Sequence, residues 1–197
     1  MARPKTFSPD AALAAALEVF RCSGYEATSV QDLVDATGLS RSSLYATFGD
    51  KHALYLAALD RYRQHGREHL ARALDGSRGA SPLCAIQTYL EAVAAEQGDG
   101  DAPPMGCLLT NAAAEVASRD PETARRARES ATQIAEAFAC AVEQAQALGE
   151  ITPDRDAVAL GRFLSATVFG IRGLQNANAS PEVLADVVEL AMESVSR

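Results

Sequence analysis

The sequence predicts an all-α protein, and three observations carry that expectation. No stretch alternates apolar and polar residues as a half-buried strand would. Apolar residues instead recur at i, i+3 and i+4 along most of the chain. Five of the eight prolines directly follow a capping residue: Ser8-Pro9, Ser81-Pro82, Asp120-Pro121, Thr152-Pro153 and Ser180-Pro181. Proline at the first helical position has the right φ and lacks only an N–H that would be unpaired anyway, so each pair marks a helix start. The result is about nine helices in two parts: a three-helix domain over residues 1–50 and a larger helical domain over 51–197.

The first helix runs from about Pro9 to Ser23, with Leu13, Ala16, Leu17 and Phe20 on one face, and Gly24 stops it. The next two helices flank a tight turn between Thr28 and Lys51. Thr28 is read as an N-cap, with Gln31 three residues later completing a capping box. Val30, Leu33, Val34 and Thr37 share a face, and Gly38 can take the left-handed conformation that ends the helix. Ser40 caps the third helix, whose Leu44 and Phe48 face inward at i, i+4, and Gly49 closes it. Asp50 caps a long fourth helix, from about Lys51 to Leu74, with Leu54, Ala58, Tyr62 and Leu70 inward. Residues 75–80 read as a loop by composition.

A fifth helix spans about Pro82 to Glu96, with Leu83, Ile86, Leu90 and Val93 at helical spacing. Residues 97–104, Q-G-D-G-D-A-P-P, read as the most mobile loop. The sixth helix, Met105 to Ser118, is short and apolar. The seventh, Pro121 to Leu148, begins charged and becomes apolar through Ile134, Phe138 and Val142. The eighth, Asp154 to Asn176, is apolar over most of its surface, and the ninth runs from Pro181 to Ser196. Helices apolar nearly all round need cover on more than one side. The eighth and ninth are therefore expected to form a dimer interface rather than merely to close the core.

Two short helices around a glycine turn cannot bury a core alone, and they form the helix-turn-helix pattern. Its second helix leaves Arg41, Ser42, Ser43, Tyr45, Ala46 and Thr47 outward, side chains suited to reading DNA. Arg41 is the candidate for base readout, since a guanidinium bonds bidentately to guanine O6 and N7. Thr28 and Lys51 stand at helix starts, where N–H groups favour phosphate. Arg3 and Lys5 make a short basic arm, read as disordered more readily than as a groove binder.

The net charge of −8 is unevenly spread: residues 1–67 sum to +1 and the remainder to −9. The acidity therefore belongs to the C-terminal part and does not argue against a DNA-facing N-terminus. No apolar run approaches the length of a membrane span, and the start M-A-R-P-K-T lacks a signal's apolar region. A cytoplasmic protein with no membrane partner is expected. Cys22, Cys84, Cys107 and Cys140 lie far apart, without paired histidines, so neither a metal site nor a disulfide framework is expected. No cofactor motif is present. His65 and His69, at i, i+4, read as a solvated helix face.

Residues 8–55 resemble the N-terminal domain of the TetR family of bacterial transcriptional repressors. The matching pieces are A-L-E-V-F-R-C-S-G-Y-E-A-T-S-V, D-L-V-D-A-T-G-L-S-R-S-S-L-Y and F-G-D-K-H-A-L-Y. The resemblance implies a homodimer through a four-helix bundle of the eighth and ninth helices, bound to a palindromic double-stranded operator. It puts Tyr45 at the family's backbone-contacting aromatic position and Lys51 at its phosphate-contacting one. Thr47 stands where many relatives carry histidine, so base preference does not carry over.

It also implies that helices four to eight enclose a cavity for a small-molecule effector of unidentified nature. Tyr62, Tyr89, Asn111, Glu115, Phe138, Phe163 and Arg172, polar or aromatic within apolar helices, are the candidate lining. The stretch P-P-M-G-C-L resembles a subgroup with G-C-L at the start of the sixth helix, some of whose members sense electrophiles through this cysteine. Cys107 would sit in the first turn, where the helix dipole favours a thiolate; Asp99 and Asp101 would oppose that if close. A buried packing role is the alternative, and Cys22, Cys84 and Cys140 read as structural. The competing classes are an enzyme, for which no nucleophile–base pair or phosphate loop is evident, and a helical protein-interaction scaffold.

Overall fold

A computed structural model describes residues 8–75, 81–96 and 107–196. The described residues form helices and connections only: α1 Pro9–Ala27, α2 Val30–Thr37, α3 Arg41–Phe48, α4 Lys51–Leu74, α5 Pro82–Ala95, α6 Leu108–Asn111, α7 Pro121–Ala147, α8 Ala157–Asn176 and α9 Pro181–Ser196. Three of the capping-residue–proline pairs cap as expected, the side chains of Ser8, Ser81 and Asp120 accepting N–H groups of the first turn. Thr152-Pro153 does not start α8. That helix begins four residues later, at Ala157, where the Asp156 carboxylate accepts from Val158 and Ala159. The expected arm with Arg3 and Lys5, most of the expected loop at 75–80, the expected loop at 97–104 with Asp99 and Asp101, and the expected helix start at Met105 lie outside the described residues.

Two corrections concern α1 and α2. Gly24 does break α1, at φ 74° and ψ 177°, a region essentially reserved for glycine, but the chain resumes helical geometry to Ala27. Thr28 is not the N-cap of α2. It is 1% exposed and its hydroxyl donates to the Gly24 carbonyl at 2.6 Å, closing the broken turn. Ser29 caps instead, in a reciprocal box: Ser29 Oγ accepts from Asp32 N–H at 3.1 Å and Asp32 accepts from Ser29 N–H at 2.7 Å. Thr and Ser cap equally well by composition; the kink at Gly24 decides which of them faces water.

The core divides into two clusters threaded by α4. The upper one, here called the head, packs Leu17 and Phe20 of α1, Leu33 of α2 and Leu44 of α3 against Leu54, Tyr55, Ala58 and Leu59 of α4. It is closed by Cys107, Leu108, Leu109, Ala112 and Val116 from the α6 region. Each fully buried Leu or Phe contributes about 1.5–3 kcal/mol, so α6 supplies a substantial share of the head's stability. The lower cluster, the body, takes Leu70 and Leu74 from the far end of α4 together with α5, α7, α8 and α9.

Polar contacts pin α4 to α7 along the seam. Arg126 Nε donates to Asp60 at 3.0 Å, and Arg63 donates to Ser130 at 2.7 Å and Glu129 at 2.9 Å. His52 Nε2 lies 2.8 Å from the Asp120 carboxylate. The sixth helix is shorter than expected. Only Leu108–Asn111 is α-helical, and Ala112–Val116 widens into a π turn, a geometry often found at functional sites.

Helix α8 has the length and mean hydropathy, 1.3 over its most apolar 18 residues, of a membrane span. That departs from the expectation that no run approaches such a length. Here α8 packs so closely on α7 that a Cβ at Gly161 would lie 2.4 Å from the Ala135 carbonyl oxygen, and it carries Arg162 and Arg172.

Candidate DNA-reading helix and effector cavity

The helix-turn-helix is held from inside by Leu33 and Leu44, exposed at 0% and 1%. Gly38 joins its helices at φ 67° and ψ 12°, its N–H donating to the Val34 carbonyl. That turn turns the outer face of α3 to solvent. Arg41, Ser42, Tyr45, Ala46 and Thr47 are exposed, while Ser43 is half-buried. Ser40 Oγ, the cap of α3, lies 2.9 Å from both the Ser42 and Ser43 hydroxyls, and Thr47 donates back to the Ser43 carbonyl. Arg41 has no ion pair among the described residues, so its guanidinium is available to an incoming acceptor. Lys51, at the first turn of α4, rests its ammonium 4.4 Å from the Tyr25 ring centroid, a cation–π contact that fixes the charge near the base of α3.

A cavity of about 680 Å³ opens where α1, α4, α5, α7 and α8 meet the start of α6, within the size range of small-molecule sites. Apolar contact comes from Leu17, Leu70, Leu109, Ile134, Val168 and Phe169. Tyr62 donates to Cys107 Sγ at 3.5 Å, and Arg21 lies 5.7 Å from the Tyr62 ring centroid. Burial, reinforced by the Cys107 sulfur, pushes the Tyr62 phenol far above its ordinary value, so it stays a donor. Burial raises Tyr89 to about 12. Arg172 donates to Glu96 at 2.8 Å and to Gln175 at 3.2 Å. Burial works against its charge, but Glu96 and then Tyr62 outweigh that and hold the guanidinium above its usual value.

Comparison with known proteins decides the identity. Residues 12–58 match the family described as "Bacterial regulatory proteins, tetR family", and residues 82–191 match "Tetracyclin repressor-like, C-terminal domain". The HTH-type transcriptional repressor ComR of Escherichia coli is 35% identical over 189 residues, spanning 94% of this chain and 87% of ComR. The chain belongs to the TetR family.

A second relative, the HTH-type transcriptional regulator YezE of Bacillus subtilis, is 31% identical over 98% of both chains. A cysteine mutant of the TetR family transcriptional regulator CifR, complexed with 26-bp double-strand operator DNA, superposes with a TM-score of 0.84 at 28% identity. The match covers 98% of this chain and 99% of that one. The protein is thus a TetR-family DNA-binding transcriptional regulator, with the helix-turn-helix at its N-terminus and a larger helical C-terminal domain.

Within this TetR fold the cavity brings together Tyr62, Tyr89, Cys107 and Arg172. The other four candidates stand elsewhere. Phe138 is fully buried in the body, edge-on to Tyr89. Phe163 is 42% exposed on the outer side of α8. Asn111 accepts from Asn176 at 2.8 Å. Glu115, on the π turn, accepts from the Tyr25 N–H at 3.2 Å and fills the space beside Gly24.

Cys107 is the N-cap of α6 rather than a first-turn residue, and it is 9% exposed. The sequence-based reading of the other cysteines is overturned: Cys22, Cys84 and Cys140 are all exposed. Small apolar neighbours in sequence had suggested burial, but each of the three falls on the outer face of its helix. Residues that sequence reasoning passed over include Arg21 and Glu96, which stand on the cavity wall together with His69. His69 meets the Tyr89 ring edge-on at 6.0 Å, so the face it shares with His65 is exposed but borders the cavity.

Proposed function

We propose that this chain is a repressor that binds a palindromic operator as a homodimer and is released when a small molecule occupies the cavity beneath α6. The observation that carries the reading is the exposed face of α3, where Arg41 has no ion pair among the described residues and the helix is fixed by Leu44 and Gly38. In a helix-turn-helix dimer the two recognition helices enter successive major grooves, so the site is an inverted repeat. Arg41 reads base edges, Ser42, Ser43 and Thr47 supplement it, and Tyr45 and Lys51 hold the backbone. Thr28, buried here, supports the helix start, and Ser29 offers the exposed hydroxyl in its place.

Dimerisation through α8 and α9 is supported by the apolar residues left outside: Val158 and Phe163 on α8, Val183 and Leu190 on α9, exposed at 42–62%. Large apolar side chains exposed on two helices that pack together are surface for an interface to cover. Besides the α1 residues that line the cavity, one contact from cavity to head runs through α6. Cys107, Leu108 and Leu109 begin beside the cavity, and six residues on, Glu115 holds the Tyr25 N–H at the α1 kink. A ligand acts only through differential affinity for the DNA-competent and DNA-incompetent states; displacing α6 would supply it.

Covalent release through Cys107 is a second reading, favoured by its place on the cavity wall against Tyr62. Footprinting on DNA flanking the coding region tests the main proposal. A protected inverted repeat is expected, and protection without sequence preference would return the protein to a helical interaction scaffold.

A further inference from the structure

Among the described residues, five arginines line the cavity, Arg21, Arg61, Arg63, Arg67 and Arg172, against two carboxylates, Glu18 and Glu96. This concentration stands out in a chain of net charge −8. Arg61 and Arg63 are turned to carboxylates outside the cavity, Asp10 for the first and Asp60 and Glu129 for the second. Arg21 and Arg172 are instead ion-paired to the cavity's own carboxylates, Glu18 and Glu96. Arg172 is 18% exposed and Arg21 22%, whereas their partners Glu96 and Glu18 are 52% and 51% exposed. Each half-buried guanidinium is therefore paired with a carboxylate that stands half in solvent. The pairing at Arg21 is incomplete: its Nε is buried and has no acceptor.

We infer that the cavity is built for an amphipathic organic anion, an aromatic or aliphatic body with one carboxylate, sulfonate or similar group, whose charge replaces Glu96 on Arg172. The reasoning is one of unequal desolvation. Glu96, already half in water, returns to solvent at small cost, while loss of a charged partner costs the less exposed Arg172 more. A neutral ligand of the same shape must either leave the Glu96–Arg172 pair intact and lose that space, or break it and leave the guanidinium only the neutral Gln175 oxygen. An anion does neither. Its body rests on Tyr62, Tyr89, Ile134 and Phe169.

The exchange also loosens the end of α5. Glu96 is the C-cap residue of that helix, and Gln175 holds the carbonyls of Val93, Ala94 and Glu96 beside it. This inference rests on the proposed effector role of the cavity and names the chemistry of its ligand.

The test uses the full chain and two fluorescent probes with nearly the same body. One is anionic, 1-anilinonaphthalene-8-sulfonate, and the other neutral, N-phenyl-1-naphthylamine. The wild type should bind the anion at least about tenfold more tightly, and Arg172→Gln should lose about tenfold for the anion while leaving the neutral probe unchanged. Glu96→Gln, a half-exposed substitution that leaves packing untouched, should tighten the anion severalfold by removing its competitor. Equal affinity of the wild type for both probes overturns the inference, as does unchanged or weaker anion binding by Glu96→Gln, whatever the folding state of Arg172→Gln. A mobility shift on the footprinted operator, run on the same preparations, separates the two levels. Intact operator binding with no probe preference sinks the anion inference alone, whereas absence of operator binding with the preference intact sinks the repressor reading alone.

Discussion

Replacing Gly24 by alanine probes the joint between the head and the α6 region. Gly24 holds φ 74° and ψ 177°, and forcing an L-residue into that region costs ~1–3 kcal/mol. A Cβ there would also stand 2.6 Å from both carboxylate oxygens of Glu115. The carboxylate must withdraw, and the Tyr25 N–H, 3.2 Å away, loses its acceptor; a hydrogen bond to a charged group is worth ~1.5–3 kcal/mol. Together Gly24→Ala should destabilise by roughly 3–6 kcal/mol, a large part of a typical stability of about 5–15 kcal/mol. Urea unfolding of the wild type, Gly24→Ala, Glu115→Ala and the double mutant separates the two causes. The hydrogen bond is lost in either single mutant and can be lost only once. The double mutant should therefore fall short of the summed effects by ~1.5–3 kcal/mol. Strict additivity, or a Gly24→Ala cost below about 1 kcal/mol, would refute the account of this joint.

Four further outcomes are expected. Arg41→Ala should lose ~1–3 kcal/mol on the operator and relax sequence preference, while Lys51→Ala weakens all DNA alike; equal loss by Arg41→Ala on operator and random DNA removes it from base reading. Leu190→Asp, at a residue 62% exposed in one subunit, should leave the fold intact but sediment as a 20.7-kDa monomer and lose operator affinity; a dimeric Leu190→Asp moves the interface elsewhere. Burial would raise the Asp120 carboxyl, but donors from Thr123 and His52 and two backbone N–H groups hold it at about 2, below its unfolded value. Its stabilisation is therefore complete above about pH 4 and lost as pH falls toward 2. Asp120→Asn should be less stable by up to ~2 kcal/mol at neutral pH and converge with the wild type in acid; a gap that does not change with pH would contradict this. For Cys107, N-ethylmaleimide release of the operator must be measured in a Cys22→Ser, Cys84→Ser, Cys140→Ser background, since those thiols are exposed. Release that survives a further Cys107→Ser ends the covalent reading.

Most helices were legible because their starts carry a chemical mark. Ser8, Ser81 and Asp120 with their following prolines, and the pattern around Gly38 and Ser40, determine local geometry without help from the rest of the chain. The failures share a physical cause. Ser29 rather than Thr28 caps α2 because a kink one turn upstream buries the threonine, a tertiary decision between two equally good caps. The π turn at Ala112–Val116 answers to Glu115 reaching Gly24, ninety residues away by sequence for the Tyr25 contact, which no local pattern announces. Cys22, Cys84 and Cys140 sit among small apolar residues, where helical phase is weakly defined and the buried side is hard to assign. The cavity was half visible: Tyr62, Tyr89, Cys107 and Arg172 break apolar faces and meet there. Phe138 and Phe163 break the same pattern for opposite reasons, one lying deep in the body and one on its outer surface.

The sharing of one core by α1–α3, the first half of α4 and the α6 region bears on how such regulators can be recombined. Leu108, Leu109, Ala112 and Val116 fill the same interior as Leu33 and Leu44, although some seventy residues of chain separate them. A chimera cut between α3 and α4 would set foreign side chains against half of that interior. Exchanging the reading specificity without rebuilding the signal path calls for a narrower graft, the outer positions of α3 alone. Exchanging the signal calls for a wider one, in which α6 is refitted to its new host along with the cavity it borders.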